Sequence, residues 1–423
     1  MSRSSSKLCG RPTCSTRARP VLPGPLRSPA AGLSALDIAL GIPLGLCAGV
    51  PALSEQAVVA GGPVAALRSV LAEALQRPPC VVSFSGGRDS SGLLGVAVEV
   101  ARQEGLDLPV PATLVFPGDA AADEEQWQRA VLGHLRLEQW ERIEVAPGQL
   151  DAVGPVAARV MRRHGLLWPF NVHFHVPVIE RAKGGTVVTG FGGDELGRAS
   201  GLARAERLLA RRERVPLLDM AKICGLALAP SRLRTVVFAR RFENSAPWLS
   251  ERGVQLARSA FAEDEASVPF GFDRRLHWFW RSRYVQVCMA AFTRMGEPYS
   301  ARVLHPFVSA PFLAALARRG GFPGLGDRAD MVRLLFGGVL PPEALCRVSK
   351  ASFTNPLWTG TARAFASAWS GRGIDHDLVD AGALREQWQA EQVNPSSTTL
   401  LQQAWLATDR ASNGAVGGRV PVD

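Results

Sequence analysis

The stretch that most constrains this chain is Cys80-Val-Val-Ser-Phe-Ser-Gly-Gly-Arg-Asp-Ser-Ser-Gly92. Val81 to Phe84 is a short β-branched and aromatic run that predicts a buried strand. It breaks at Ser85-Gly86-Gly87, after which Leu93, Leu94, Val96, Ala97 and Val100 recur at helical spacing. Two glycines between strand and helix let the backbone turn tightly with no Cβ in the way. Successive amide N–H groups then surround an anion at the positive end of the helix. Ser85, Ser90 and Ser91 add hydroxyl donors or an N-cap. Beside bound phosphates, the Asp89 carboxylate is tolerable when a cation such as Mg²⁺ bridges them. An ordinary strand–turn–helix corner also needs a glycine. Such a corner rarely carries Ser-Gly-Gly-x-Asp-Ser as a unit, and that favours the phosphate reading.

Hydrophobic strands and helices then alternate. Ala112–Phe116, Arg142–Ala146 and Thr186–Thr189 read as strands. Asp123–Leu135, Leu150–His164 and Phe174–Lys183 read as helices, and Pro63–Gln76 as a helix leading into the loop. That alternation predicts a parallel sheet covered on both faces, with the ligand at the strands' carboxyl ends. The last of these strands runs into Gly190-Phe-Gly-Gly-Asp-Glu-Leu196, a second glycine turn followed by acidic residues. Two such turns at parallel strand ends place Asp89 and Asp194 around one metal–phosphate cluster, with Gly192 and Gly193 at the phosphates.

Ser85-Gly-Gly-Arg-Asp-Ser90 resembles the SGGxDS loop of the ATP-pyrophosphatase families, which cleave ATP between its α- and β-phosphates. That loop is shared by asparagine synthetases, tRNA-modifying enzymes, and NAD and GMP synthetases. The later GGDE narrows the likeness to the synthetase domain of asparagine synthetases and their relatives, including β-lactam synthetases and lasso-peptide macrolactam synthetases. The resemblance implies an α/β fold of the ATP-pyrophosphatase (adenine nucleotide α-hydrolase-like) type with a helical C-terminal half. It also implies ATP and Mg²⁺ as cofactors, with Asp89 and Asp194 as the Mg²⁺ ligands.

Further on, Ala301–Ser309 resembles the family's ExRxPFLD segment, and Asp327–Arg333 its later lysine/arginine helix. Arg347–Pro356 resembles the RKxxF…P segment, whose lysine makes Lys350 the candidate for stabilising charge on adenylate and pyrophosphate. A surface lysine is the alternative.

The departures matter too. The family's catalytic cysteine after the initiator methionine is Ser2 here, and fewer than ninety residues precede the loop. No glutaminase domain is therefore expected. The glutamate ahead of the GGDE glycines is Phe191, the PFLD aspartate is Ser309, and the glutamate of ExR is Ser300. The ATP half is kept and the aspartate–ammonia half is not. The expected substrate is a small-molecule or peptide carboxylate joined to an amine, with Glu297 and Tyr299 as candidates to deprotonate that amine. The peptide-cyclising relatives imply a precursor peptide and an accessory leader-binding protein as partners. Ammonia-dependent asparagine synthesis, a tRNA-modifying ATP pyrophosphatase and a non-catalytic relative are the alternatives.

Composition sets the surroundings. With 423 residues and 47% hydrophobic content, the chain can bury a sizeable core. Its net charge of +10 suits a handler of ATP, pyrophosphate or an acidic partner. Nucleic acid is not the expected partner. Seven cysteines without a CxxC indicate neither a zinc site nor a disulfide framework, which fits a reducing cytoplasm.

Residues 1–31, rich in Ser, Arg, Pro and Gly, read as a disordered arm. The apolar stretch Leu33–Leu53 is broken by Asp37, Pro43 and Pro51, so it reads as part of an extension over 32–78 packed on the core, not a membrane span. An ATP-binding core is expected over 79–200 and a mainly helical substrate part over 201–410, together a synthetase domain, with 411–423 as a tail. Gly201–Gly271, carrying Arg204, Arg207, Arg211, Arg212, Arg214, Arg240 and Arg241, reads as helices with a basic face. Arg274–Met295 reads as one amphipathic helix.

Overall fold

The structure, a computed structural model, describes residues 32–53, 60–196, 224–346 and 355–416. Strands β1 (Cys80–Ser83), β2 (Val110–Val115), β3 (Glu141–Glu144), β4 (Thr186–Val188) and β5 (Arg302–Leu304) form one sheet in the order β3-β2-β1-β4-β5. Every neighbouring pair is parallel. The fold is α/β, of the ATP-pyrophosphatase type. From β1 the chain steps outward to β2 and β3, then returns to lay β4 on the other side of β1. That reversal puts the carboxyl ends of β1 and β4 side by side at the switch point where such sheets bind ligands.

Side-chain alternation divides the interior. Val81 and Val187 enter one core with Ile143, Ile179, Met161 and Trp248. Val82 and Val188 enter the other with Leu67, Leu93, Phe307 and Phe312. Because successive strand side chains point to opposite faces, β1 and β4 seal two cores at once. This explains why they read as continuous apolar runs.

Leu36, Ile42 and Leu44 of the apolar stretch Leu33–Leu53 pack against one core, and Leu53 is buried in the other. The stretch opens with the helix Ala35–Leu40, held by a Ser34–Asp37 capping box, and continues as an extended strap. Indole N–H groups from separate parts of the fold donate to its carbonyls: Trp248 to Ala39 at 2.8 Å, Trp168 to Gly41 at 2.9 Å and Trp280 to Pro51 at 3.0 Å. Arg283 closes on buried Asp37 at 2.6 Å. No helix among the described residues is long and apolar enough to cross a membrane.

Some expectations needed correction. Arg274–Met295 is not one helix but two, Phe272–Arg281 and Arg283–Gly296. Ser282, extended at ψ 143°, caps the second helix, and the Arg283 amide bonds the strap carbonyl of Gly45 at 2.9 Å. The break therefore comes from a tertiary contact. The helix expected over Leu150–His164 begins only at Pro155. The residues ahead of it turn so that buried Asp151 can accept from the amides of Thr359 and Ala362 at 2.9 and 3.0 Å. Strand β5 lies within a stretch that had not read as a strand. Arg240 and Arg241 end the helix Ser231–Arg240, whereas Arg204, Arg207, Arg211, Arg212 and Arg214 lie outside the described residues.

The helix Arg88–Glu104 touches the helix Arg328–Phe336 along a ridge of glycines. A Cβ on Gly92 would fall 2.5 Å from the Phe336 ring, and one on Gly95 would fall 3.2 Å from Val339. We predict that Gly92→Ala lowers stability by about 1–3 kcal/mol, since forced overpacking outweighs the helix propensity gained. Urea unfolding checks this. An unchanged or raised midpoint would mean that Phe336 gives way freely.

Candidate active site

The loop after β1 is built as its sequence suggested. Gly86 sits at φ +82°, and a Cβ there would meet Gln128 Cγ at 2.9 Å. The Gln128 amide in turn donates to the Ser85 carbonyl at 3.2 Å. No side chain caps the helix that follows Gly87, so its first-turn amides are oriented for an anion. The serines differ in use. Ser90 organises the loop: its hydroxyl accepts from the Ser85 amide at 3.2 Å and donates to the Gly87 carbonyl at 3.2 Å. Ser85 Oγ lies 3.1 Å from it. Ser91 is fully buried with its hydroxyl unpaired. As the loop stands, Ser91 has no surface to offer a phosphate.

The turn after β4 closes against this loop. Gly192 adopts φ +95°, and a Cβ there would strike Val308 at 2.4 Å. A Cβ on Gly193 would fall 2.5 Å from Asp89 Cγ. Gly193 thus lets the Asp89 carboxylate lie against the second turn, while Gly192 lets that turn pack on Val308. Asp89 and Asp194 are brought together, and between them lies a group that sequence reasoning had not singled out. Arg328 donates to Asp89 Oδ2 at 2.6 Å, and its other terminal nitrogen donates to Asp194 Oδ1.

Arg328 is the first residue of its helix, held there by a capping box between Asp327 and Asp330. A cation at a helix N-terminus opposes the helix dipole, and the two carboxylates compensate it. Burial, the largest influence, pushes the Asp89 carboxyl above its ordinary range; Arg328 pulls it down and Asp194 pushes it up. Burial alone would lower the Arg328 guanidinium, but the aspartates raise it. The sequence signals here were an arginine following a capping aspartate and the likeness of Asp327–Arg333 to the family's lysine/arginine helix, neither of which names tertiary partners.

Next to the clamp, the Tyr284 hydroxyl donates to Glu195 Oε1 at 2.5 Å. Phe191 stacks on Tyr284 with ring centroids 6.0 Å apart, and stands edge-on to His305 at 5.6 Å. His305 Nδ1 pairs with Thr189 Oγ1 at 2.6 Å. Burial, reinforced by His175, pushes its imidazole down to about 3, so it stays neutral near pH 7.

Two cavities flank the strand ends. One of about 350 Å³ lies beyond β2, beside Phe116, Gly118, Asp119 and Gln128. Another of about 330 Å³ opens beside Glu195 and Tyr284.

The structure does not bring Glu297 and Tyr299 to this cluster. They precede β5 at the amino ends of the strands, where the Tyr299 hydroxyl donates to Glu180 at 2.9 Å. Lys350 lies outside the described residues.

The asparagine synthase family model matches residues 66–408. The chain belongs to the asparagine synthase family. That membership makes it a relative of ATP-dependent, amide-forming carbon–nitrogen ligases. No curated protein matches the chain.

The residues present fit the Mg²⁺ that this family uses. A guanidinium already stands between Asp89 and Asp194, so the pair selects positive charge. Mg²⁺ takes one or two carboxylates and completes its shell with water and phosphate oxygens, so two aspartates are a sufficient protein donor set.

We predict that Arg328→Met destabilises the ligand-free protein by about 1–3 kcal/mol at pH 7. That is less than breaking a fully buried pair costs, because Asp194 is 50% and Arg328 24% exposed. Asp89, already raised, rises further without Arg328. The deficit is therefore present where Asp89 is ionised and closes as acid protonates it. Denaturant titrations at several pH values check this. A deficit that persisted at low pH would contradict the clamp.

Proposed function

We propose that the chain activates a carboxylate on a peptide or natural product as an acyl-adenylate and transfers the acyl group to an amine, releasing AMP and pyrophosphate. The observation that carries this reading is the convergence of Asp89 and Asp194, from adjacent strand ends, beside the Ser85–Gly87 turn. The turn and the amides that follow it hold phosphate oxygens, and Gly86 lets the backbone approach them. Asp89 and Asp194 would hold Mg²⁺, which supplies Lewis-acid polarisation of the phosphates when bound. Arg328 offers its guanidinium to charge developing on the departing pyrophosphate. The cavity beside Phe116 and Gln128 receives the nucleoside, since it adjoins the loop through the Gln128–Ser85 bond. Lys350 is proposed, from its motif alone, to stabilise charge at the reacting phosphate. A precursor peptide with a leader-binding partner, in the cytoplasm, is the setting this reading implies.

Phe191 supports an organic amine over ammonia. The position where asparagine synthetases carry a glutamate holds a phenyl ring packed between Tyr284 and His305. Asparagine synthesis remains the second reading, favoured only by the family match.

We predict that α,β-methylene-ATP binds more tightly with Mg²⁺ than without it, and that Asp89→Asn and Asp194→Asn each remove that difference. Titration calorimetry reads it. With aspartate, ammonia and Mg²⁺–ATP, the wild type is expected to form no asparagine at an ordinary enzymatic rate. Asparagine formation at such a rate would replace this reading with the second one.

A further inference from the structure

The cavity of about 330 Å³ beside Glu195 is of a size that holds a small organic ligand. Its walls come from elements distant in sequence. The strap gives Ile42 and Leu44, the helix Glu251–Ser267 gives Phe261 and Asp264, and the helix Phe272–Arg281 gives Leu276 and Phe279. Among the described residues the lining is mostly aromatic and aliphatic, but its charges are biased. Of these residues, Glu195, Asp264 and Glu265 contribute carboxylates and Arg275 a guanidinium.

Asp264 is committed to structure, accepting the Gly45 amide at 2.8 Å and so fixing the strap wall. Glu195 is placed differently. It follows Asp194 directly in the chain, and the Tyr284 hydroxyl takes Oε1 at 2.5 Å. A carboxylate accepts at two oxygens, and the Tyr284 hydroxyl takes one of them. Glu195 thus presents its carboxylate to the apolar cavity from the residue next to Asp194.

We propose that this cavity binds the amine partner of the reaction, a primary amine on an apolar body the size of an aromatic ring, with its ammonium held by Glu195. The role in catalysis rests on the adenylation reading above; the binding itself does not. The carboxylate partner is the wrong sign for this lining, and an ion of like charge is rejected as a metal- or amine-bound one is not. Ammonia would leave the apolar walls unfilled. Glu195 acts here as a binding and positioning residue, and Tyr284 holds it in place.

The test uses the full chain without ATP and three probes of one shape: 4-phenylbutylamine, 4-phenylbutan-1-ol and 4-phenylbutanoate, each titrated calorimetrically at neutral pH. The amine is expected to bind at least about tenfold more tightly than the alcohol, and the carboxylate more weakly than either. Glu195→Gln, in which Tyr284 can still donate to the side-chain oxygen, is expected to erase the amine's advantage while leaving the alcohol's affinity unchanged. Leu276→Trp fills the cavity and is expected to weaken amine and alcohol alike by about tenfold or more. If that variant does not fold, Phe279→Ala serves instead, with both affinities falling through lost apolar contact.

Equal affinities for the three probes, preference for the carboxylate, or an amine advantage that survives Glu195→Gln would each overturn the proposal. Those failures leave the adenylation reading standing, because no nucleotide is present. Loss of Mg²⁺-dependent nucleotide binding, with the amine preference intact, would instead remove the adenylation reading and leave an amine site.

Discussion

Two carboxylates of like charge, drawn together by the ends of adjacent strands, need a cation between them. The geometry of the molecule follows from that need. Asp89 lies in the first turn of the helix after β1 and Asp194 follows the glycine turn after β4, and the sheet order makes those strands neighbours. The glycine at 193 removes the Cβ that would otherwise hold the second turn off Asp89. Arg328 then spans both acids with two nitrogens of one planar group, a geometry that a lysine's single nitrogen could not reproduce. What places Arg328 there is not local. Its helix is capped at Asp327 and is pressed onto the helix Arg88–Glu104 by Phe336 seated over Gly92. Electrostatics at one end of the helix and packing at the other thus fix a single docking.

Much of the architecture was legible in the sequence, for a physical reason. Strands β1, β2 and β4 lie inside a doubly covered sheet, so their residues must be apolar on both sides, and such runs stand out against helical periodicity. The glycine–aspartate turns were legible because left-handed φ and close backbone approach leave glycine little competition. Strand β5 escaped because it is a three-residue edge strand, each residue only half-buried, with Arg302 reaching out to Glu73 at 2.6 Å. The break at Ser282 escaped because serine within an amphipathic pattern announces a cap only when something stops the preceding helix. Here the strap, more than two hundred residues earlier in the chain, does the stopping.

The site was legible in part and for a narrower reason. Asp89, Asp194, Gly192 and Gly193 were found by repeated local grammar, a strand running into glycines and then acid. Arg328 and Tyr284 carry no such grammar. An arginine at a helix start and a tyrosine in an aromatic stripe are each ordinary until the fold brings them together. The reverse held for Tyr299. Its residue type and nearness to a family-like motif suggested chemistry, yet parallel strands send everything before β5 to the end of the sheet away from Asp89 and Asp194.

The strap offers a last consequence. Its path is held by indole hydrogens bonded to main-chain carbonyls, at Ala39, Gly41 and Pro51, and every residue type supplies a carbonyl. At those three points route and side-chain identity are decoupled, on a stretch that also walls the cavity beside Glu195, whereas Asp37 and the left-handed Gly41 fix it by residue type. The side chains of Ile42 and Leu44 carry none of these bonds. A lineage carrying this fold could thus reshape the cavity by point substitution at such positions, while the Asp89–Arg328–Asp194 cluster keeps its geometry.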